Sequence, residues 1–328
     1  MFDIALKLLV EALIYPGLFF TILFVIFTQW IYRKLSARLQ YRRGPIHAGP
    51  AGLLQPLADL LKLVSKKDLV NKYSSRRGPL IILSVAIGVV IVTQLMLPVA
   101  PWPISGDYDV LIALYFLLLA PFALAYLAVA HPNPYTSIGA ARYLAQLFVS
   151  EPVFAASLIV PVYLSSKLGN SSFSIYVASL SSSALWTAGP IHALSMLLAA
   201  VAGFIAMMAI LEVKPFDHPE AEAEIYWGVF TEIGGPRLAL GFFLKFAERV
   251  VFPLLYVALF TGGAWPTDPS NTVMSAILLY LKTAIVFIAL TIIDNILPRY
   301  KPEQAVRFLL KYAYPPLILS LILISFIT

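Results

Sequence analysis

Cysteine is absent from this chain, and histidine occurs only four times. Iron–sulfur clusters need thiolate ligands and disulfides need paired cysteines, so the sequence excludes both from this chain. His47, His131, His192 and His218 show no paired spacing on one helix, which argues against haem or metal ligation. With no nucleophile triad or glycine-rich phosphate loop either, we expect no metal site, no cofactor held by this chain and no catalytic residue of its own.

Charged residues are also scarce, at 12% of 328 residues, whereas hydrophobic residues make up 60%. An ordinary soluble domain has about 25% charged residues. The apolar residues come in blocks of about twenty, the length at which a helix crosses a hydrocarbon core of about 30 Å. The sequence therefore predicts an all-α integral membrane protein, a single polytopic membrane domain over 1–328 with about eight transmembrane helices. The predicted spans lie near 8–31, 79–100, 110–130, 143–165, 190–212, 238–261, 274–296 and 308–327.

Two long polar segments, 32–78 and 213–237, are predicted to be cytoplasmic loops. Within the first, six apolar residues recur at helical spacing, which predicts an amphipathic helix at the cytoplasmic interface. A surface helix packed only on its own bundle is the alternative. The six residues are Leu53, Leu54, Leu57, Leu60, Leu61 and Val64.

The basic residues indicate the orientation of the spans. In an eight-span arrangement, 20 of the 23 Lys and Arg residues fall on one side, which the positive-inside rule assigns to the cytoplasm. The exceptions are Lys7, Lys167 and Lys282. We expect a multi-pass protein of the cell membrane with both termini outside. The net charge of +6 is then a topology signal, and no nucleic-acid partner is expected.

Four motifs occur in an order that resembles one family over nearly the whole chain. RKLSARLQYRRGPIHAGPAGLLQPLADLLKL runs from Arg33 to Leu63, and PFDHPEAEAEIYWGVFTEIGG from Pro215 to Gly235. A weaker Arg, Gln, Glu spacing runs from Arg142 to Glu151, and LPRYKPEQAVRF from Leu297 to Phe308. The chain resembles the membrane subunit at the quinone-site joint of respiratory complex I (the subunit 1 family) and its relatives in membrane-bound hydrogenase and sulfane reductase complexes.

The resemblance implies a core membrane subunit of an ion-translocating oxidoreductase complex, without catalysis by this chain alone. It implies peripheral iron–sulfur redox subunits and antiporter-like membrane subunits as partners, with lipid around the bundle. A quinone or related electron acceptor would lie at the interface with the redox arm. Tyr32 and Lys245 stand where quinone-using members carry Glu, which leaves open a quinone reductase or a hydrogenase or sulfur-reducing branch, and proton or sodium coupling.

The first candidate ion relay lies in the second polar segment. It gathers the five carboxylates of Asp217, Glu220, Glu222, Glu224 and Glu232. Like charges so close disfavour joint ionisation, so they would exchange protons as a coupled group. If 217–228 is helical, Glu220 and Glu224 share one face. The alternative is a solvated acidic loop that meets basic segments such as 32–43.

Three further charged residues are candidates for the relay. Glu151 lies in an apolar span, where an acid costs about 2.5–3.5 kcal/mol and tends to face partners or water. Glu212 follows a span, with the family's acid moved by two positions. Lys282 carries the same argument as Glu151, although snorkelling to the outer interface is an equal alternative.

The resemblance also suggests residues that line the cavity or contact the redox arm. They are Arg33, Arg38, Arg42, Gly44, Pro45, Arg142 and Lys245. The alternative for the arginines after the first span is that they fix topology and bind lipid phosphate. For the chain as a whole, two other functions stay open: an autonomous secondary ion transporter, and a purely structural membrane anchor.

Overall fold

The computed structural model describes residues 2–168, 172–267 and 271–327, in which the regular secondary structure is entirely helical. Residues 1, 169–171, 268–270 and 328, which the predicted single domain also covers, lie outside the described part. The helices are α1 (Phe2–Leu13), α2 (Leu18–Leu39), α3 (Gln55–Ser65), α4 (Gly78–Leu95), α5 (Asp109–Val129), α6 (Pro134–Lys167), α7 (Ile175–Thr187), α8 (Pro190–Ile210), α9 (Glu222–Ile225), α10 (Gly235–Phe260), α11 (Thr272–Ile296), α12 (Pro302–Tyr312) and α13 (Tyr314–Ser325).

Seven helical segments of the described chain are long and apolar enough to cross a membrane, which confirms the predicted fold class. They are Leu6–Leu39, Gly78–Leu95, Asp109–Val129, Pro134–Lys167, Pro190–Ile210, Thr272–Ile296 and Pro302–Ser325. The remaining predicted span, 238–261, corresponds to α10, which has 26 residues and is therefore about 39 Å long. It is not among the seven apolar segments because it contains several charged residues, among them Lys245 and Glu248.

Helix α6 is longer than the predicted span 143–165. It has 34 residues and is about 51 Å long, well beyond a hydrocarbon core of about 30 Å. It begins at Pro134 because Asn133 caps it, accepting a hydrogen bond from the Tyr135 N–H, and because proline suits the first helical position. The additional turns carry Arg142 to the acidic loop, which is the part of segment 213–237 that contains Asp217, Glu220, Glu222, Glu224 and Glu232.

The predicted amphipathic helix is present as α3, but it begins at Gln55, after Leu53 and Leu54. Its Asp59 is 2.5 Å from Arg33 at the end of α2, which ties the two helices together. Leu61 is 59% exposed, so part of the apolar stripe points away from the bundle. An exposed apolar stripe beside Lys62 suits a membrane interface.

The acidic loop is not one helix, contrary to the prediction that Glu220 and Glu224 would share a face. It consists of a 3₁₀ turn at His218–Glu220, the single turn α9 and a second 3₁₀ turn at Gly228–Phe230. Tyr226 has φ 57°, which ends α9 because a left-handed residue cannot continue a right-handed helix. A Cβ on Gly139 of α6 would lie 2.8 Å from the Gly228 backbone, so the loop lies directly on α6.

Candidate functional site

Lys245 of α10 lies between two glutamates in the interior. Its Nζ is 2.5 Å from Glu212 Oε2 and also contacts Glu220 Oε1. Lys245 is 6% exposed and Glu212 5%. Glu212 has φ 50°, an unfavourable conformation for a residue other than glycine, and such strained positions concentrate at functional sites. The backbone after α8 is thus held in a costly turn that carries the Glu212 carboxylate.

One fully buried tyrosine lies within electrostatic range of four carboxylates. Tyr143 of α6 interacts electrostatically with Glu151, Glu212, Glu220 and Glu248. We call these four acids with Lys245 the buried acid cluster. In the described structure one carboxylate oxygen each of Glu151, Glu212 and Glu248 is buried without a hydrogen-bond partner. Such oxygens are costly, so each of these acids has reason to hold a proton or a water molecule.

Glu212 lies just beyond the end of α8, outside the membrane-spanning segments. Burial raises the pKa of Glu212, and the neighbouring Glu220 carboxylate acts in the same direction. The Lys245 ammonium opposes this by stabilising the charged form. Burial outweighs the ammonium and raises the pKa of Glu212 to about 7, and a displacement of Lys245 away from this carboxylate would raise it further.

Three of the remaining acids of the loop have partners outside the basic segment 32–43. Asp217 accepts two hydrogen bonds from Arg299, at 2.7 and 2.6 Å. Glu224 is 2.6 Å from Arg142, and Glu232 accepts a 2.7 Å hydrogen bond from Asn133. Glu222 is exposed and, among the described residues, makes no hydrogen bond or ion pair, although its charge acts on Arg299. The alternative in which the acids of the loop pair with segment 32–43 is therefore wrong for Asp217, Glu224 and Glu232.

Sequence reasoning missed Glu248 and Tyr143. Glu248 is 2% exposed and follows Lys245 by three residues on α10, so both lie on one helical face. The argument that singled out Glu151, an acid within an apolar span, applies equally to Glu248 and could have found it. Nothing in the sequence distinguishes Tyr143 from other interfacial or core tyrosines.

Asp294 of α11 was also missed. It accepts a 2.8 Å hydrogen bond from the Tyr32 hydroxyl and a 3.0 Å bond from the Lys214 N–H. Tyr32 and Asp294 border a cavity of about 10 Å³ beside Arg249, which has room for one water molecule. The same two residues border a larger basic cavity of about 390 Å³. The pair thus lies between the small interior cavity and the basic cavity.

A third cavity, of about 700 Å³, lies between α3 and α10. Its apolar lining includes Leu60, Leu63, Trp227, Phe242 and Phe246, and Arg33 and Asp59 form part of its polar lining. Arg42, Gly44 and Pro45 line the basic cavity instead, which Arg33 borders as well. Arg38 is exposed and borders neither cavity. Arg142 and Lys245 bind the acidic loop. The residues predicted to line one cavity or contact the redox arm therefore lie at several different sites.

Lys282 lies away from the buried acid cluster. Its Nζ donates three hydrogen bonds to the backbone carbonyls of Thr261, Gly263 and Trp265, at 2.8 to 2.9 Å. These carbonyls follow the end of α10. These contacts give Lys282 a structural role at one end of the bundle, which neither the relay nor the snorkelling alternative foresaw.

Comparisons with known proteins agree with this architecture. The family model of NADH dehydrogenase matches residues 13–325. A subunit of the NADH-quinone oxidoreductase of Solibacter usitatus is 30% identical over 82% of this chain and 70% of that protein. A subunit of the F(420)H(2) dehydrogenase of Methanosarcina acetivorans is 27% identical over 89% and 86%.

A solved structure of the membrane-bound sulfane sulfur reductase, an archaeal respiratory membrane complex, contains a chain with a similar fold. The TM-score is 0.79 at 25% identity, and the match covers 99% of this chain and 100% of that one. The order of the motifs, the helical architecture and these matches agree over nearly the full length. The chain belongs to the NADH dehydrogenase (subunit 1) family of membrane subunits.

Proposed function

We propose that this chain, a core membrane subunit of an oxidoreductase complex, couples electron transfer to ion translocation through the buried acid cluster. The observation that carries the proposal is the set of unpartnered carboxylate oxygens on Glu151, Glu212 and Glu248 around Tyr143. Ionisable residues at membrane depth are expensive and usually mark ion or proton paths. Acids whose titrations are coupled take up and release protons as a group.

The acidic loop would transmit the redox event to this cluster. Glu220 belongs to the loop and pairs with Lys245, which also pairs with Glu212. A shift of the loop would change how closely Lys245 approaches each carboxylate. Because a cation lowers the proton affinity of a nearby acid, the proton would move to the acid that Lys245 leaves.

The electron acceptor would bind in the cavity between α3 and α10. Leu60, Leu63 and Phe246 supply apolar walls suited to a quinone or a related hydrophobic acceptor. Arg33 and Asp59 supply polar groups beside those walls. When bound, such an acceptor would take electrons from the redox arm and bind protons. This chain would hold it and limit the access of water.

The membrane arrangement follows from the same residues. Helix α10 is long enough to cross as one further span, and three of its four charged residues, Arg237, Lys245 and Glu248, are tolerated because they are buried against other helices. Both termini then lie on the outer side of the cell membrane. Peripheral iron–sulfur redox subunits would bind the cytoplasmic loops 32–78 and 213–237, and antiporter-like subunits would continue the ion path laterally.

The coupling role is tested with Glu248→Gln and Glu151→Gln in the assembled complex. Ion uptake per electron transferred is measured in proteoliposomes beside the electron-transfer rate. We expect both variants to assemble and to lose most ion uptake, because glutamine keeps the shape but cannot carry a proton. Glu303→Gln, which changes an exposed acid of α12, serves as the control and should transport normally.

Normal ion uptake in both cluster variants would contradict the coupling role and favour a structural anchor. Ion flux through the purified single chain in liposomes, without any redox partner, would favour an autonomous transporter. Copurifying subunits identified by mass spectrometry would name the redox arm and thus the electron donor.

A further inference from the structure

Segment 67–77, which follows α3 and leads into α4, carries four cations within eleven residues. None of the four forms an ion pair among the described residues. The one acid of the segment, Asp68, is already bound by Arg237 of α10, at 2.9 and 2.7 Å. The positive charge of the segment is therefore uncompensated in the described structure. All four cations are exposed: Lys67, Lys72, Arg76 and Arg77.

The segment is fixed at the ends of three long helices. Arg237, which binds Asp68, is fully buried at the start of α10. The Ser75 N–H donates a 3.0 Å hydrogen bond to the carbonyl of Ala130, just past the end of α5. The chain then enters α4 directly at Gly78. Because α4 and α5 are both long and apolar enough to cross a membrane, a segment held where one begins and the other ends lies at the level of the lipid headgroups.

Two large apolar side chains point away from the protein between these cations. Leu69 and Tyr73 are each 79% exposed. The adjoining helix ends are apolar on their outward faces too, since Ile81 of α4 is 64% exposed and Val129 of α5 is 60% exposed. Contact with water would be unfavourable for such side chains, whereas the boundary between headgroups and acyl chains accommodates both them and the cations.

We propose that segment 67–77 binds the phosphate groups of anionic phospholipids, with Leu69 and Tyr73 inserted between the headgroups. Each cation near a membrane surface favours anionic lipid about fivefold. The segment borders neither the basic cavity nor the cavity between α3 and α10, and its role does not depend on the buried acid cluster. Lipid binding would hold α3 at the membrane surface, and the rest of loop 32–78 remains for the redox arm.

The test uses the purified complex in phosphatidylcholine nanodiscs that contain the same small fraction of either photoactivatable phosphatidylglycerol or photoactivatable phosphatidylcholine. Lipid crosslinks are located on peptides by mass spectrometry. We expect phosphatidylglycerol to label the peptides that contain Leu69 and Tyr73 about tenfold more than phosphatidylcholine does. This excess should fall as salt is added, because salt screens exposed charges. The salt titration needs no substitution, so it tests the proposal even if a variant does not assemble.

Lys67→Gln combined with Arg76→Gln should lower the phosphatidylglycerol labelling about tenfold or more. The matched control, Arg307→Gln combined with Lys311→Gln, removes one arginine and one lysine from exposed positions of α12 and should leave the labelling of segment 67–77 unchanged. Equal labelling by the two lipids in the original complex would overturn the proposal, as would equal losses in the two double variants. Crosslinks that join the segment to a redox subunit in place of lipid would also overturn it and would assign the segment to a protein partner.

Discussion

Lys245 and Glu212 form a buried ion pair with 2.5 Å between Nζ and Oε2, although 33 residues separate them in the sequence. Each is a departure from the pattern of the resembling family: a lysine stands at the place of a glutamate, and the acid after α8 is displaced by two positions. The structure joins the two departures. The added cation faces the displaced acid, so the interior keeps an ionisable pair at this place.

Removing the Lys245 charge alone should destabilise the subunit more than removing the charges of Lys245 and Glu212 together. Lys245→Met leaves Glu212 and Glu220 without their shared cation, and breaking a buried ion pair typically costs about 3–5 kcal/mol. The double variant Lys245→Met with Glu212→Gln should recover a large part of this loss, because no unpaired charge at Glu212 remains. Thermal unfolding of the complex measures both. Strictly additive effects of the two substitutions would show that the pair is not coupled.

Glu220 and Glu224 should behave differently, although sequence reasoning grouped them. Glu220→Gln acts on buried Lys245 and should slow ion uptake relative to electron transfer by about tenfold or more. Glu224→Gln removes a pair whose acid is 51% exposed, and should cost less than about 1 kcal/mol with coupling retained. Proteoliposome assays of the two variants give the comparison. Equal uncoupling by both would indicate that the whole loop is one relay.

The membrane spans could be predicted from sequence because helices in lipid must be long and apolar. The cost of placing an acid within an apolar span also singled out Glu151, which does lie in the buried acid cluster. It did not distinguish Lys282 from a relay residue, because the three carbonyls around that ammonium are brought together only by the turn after α10. The shape of the acidic loop was equally hidden, since it depends on the left-handed Tyr226.

Pairings between distant segments could not be predicted from one sequence. Tyr32 and Asp294 are 262 positions apart and meet only because α2 packs against α11. Arg237 is fully buried and binds Asp68, 169 positions away, and His131. These contacts tie loop 32–78 to α10. Periodicity and composition carry no information about which charged residue of one segment will meet which residue of another.

The pH dependence of stability should include a contribution from His218. Burial lowers the pKa of His218 to about 4, and nearby Arg142 acts in the same direction. The unfolded chain, with a pKa of about 6.5, therefore binds more protons than the folded chain between pH 6.5 and 4. Stability should fall as the pH falls through this window, by up to about 1.4 kcal/mol per pH unit.

His218→Leu isolates this contribution. Both ring nitrogens are buried without partners, so an apolar side chain of similar size should be tolerated at pH 7.5. The variant should lose less stability than the original chain between pH 7.5 and 5, as measured by thermal unfolding of the detergent-solubilised complex. Identical pH profiles would show that His218 does not titrate as its burial requires.

Lys282 should prove to be an anchor of the turn after α10. Its three hydrogen bonds hold the carbonyls of Thr261, Gly263 and Trp265 around one ammonium. Lys282→Met should lower the unfolding free energy by about 1–3 kcal/mol, because the carbonyls lose a charged donor. Lys72→Met, at an exposed position, should change it by less than about 0.5 kcal/mol. Ions moved per electron should stay unchanged in Lys282→Met, and a loss of that ratio in a stably assembled variant would return Lys282 to the relay.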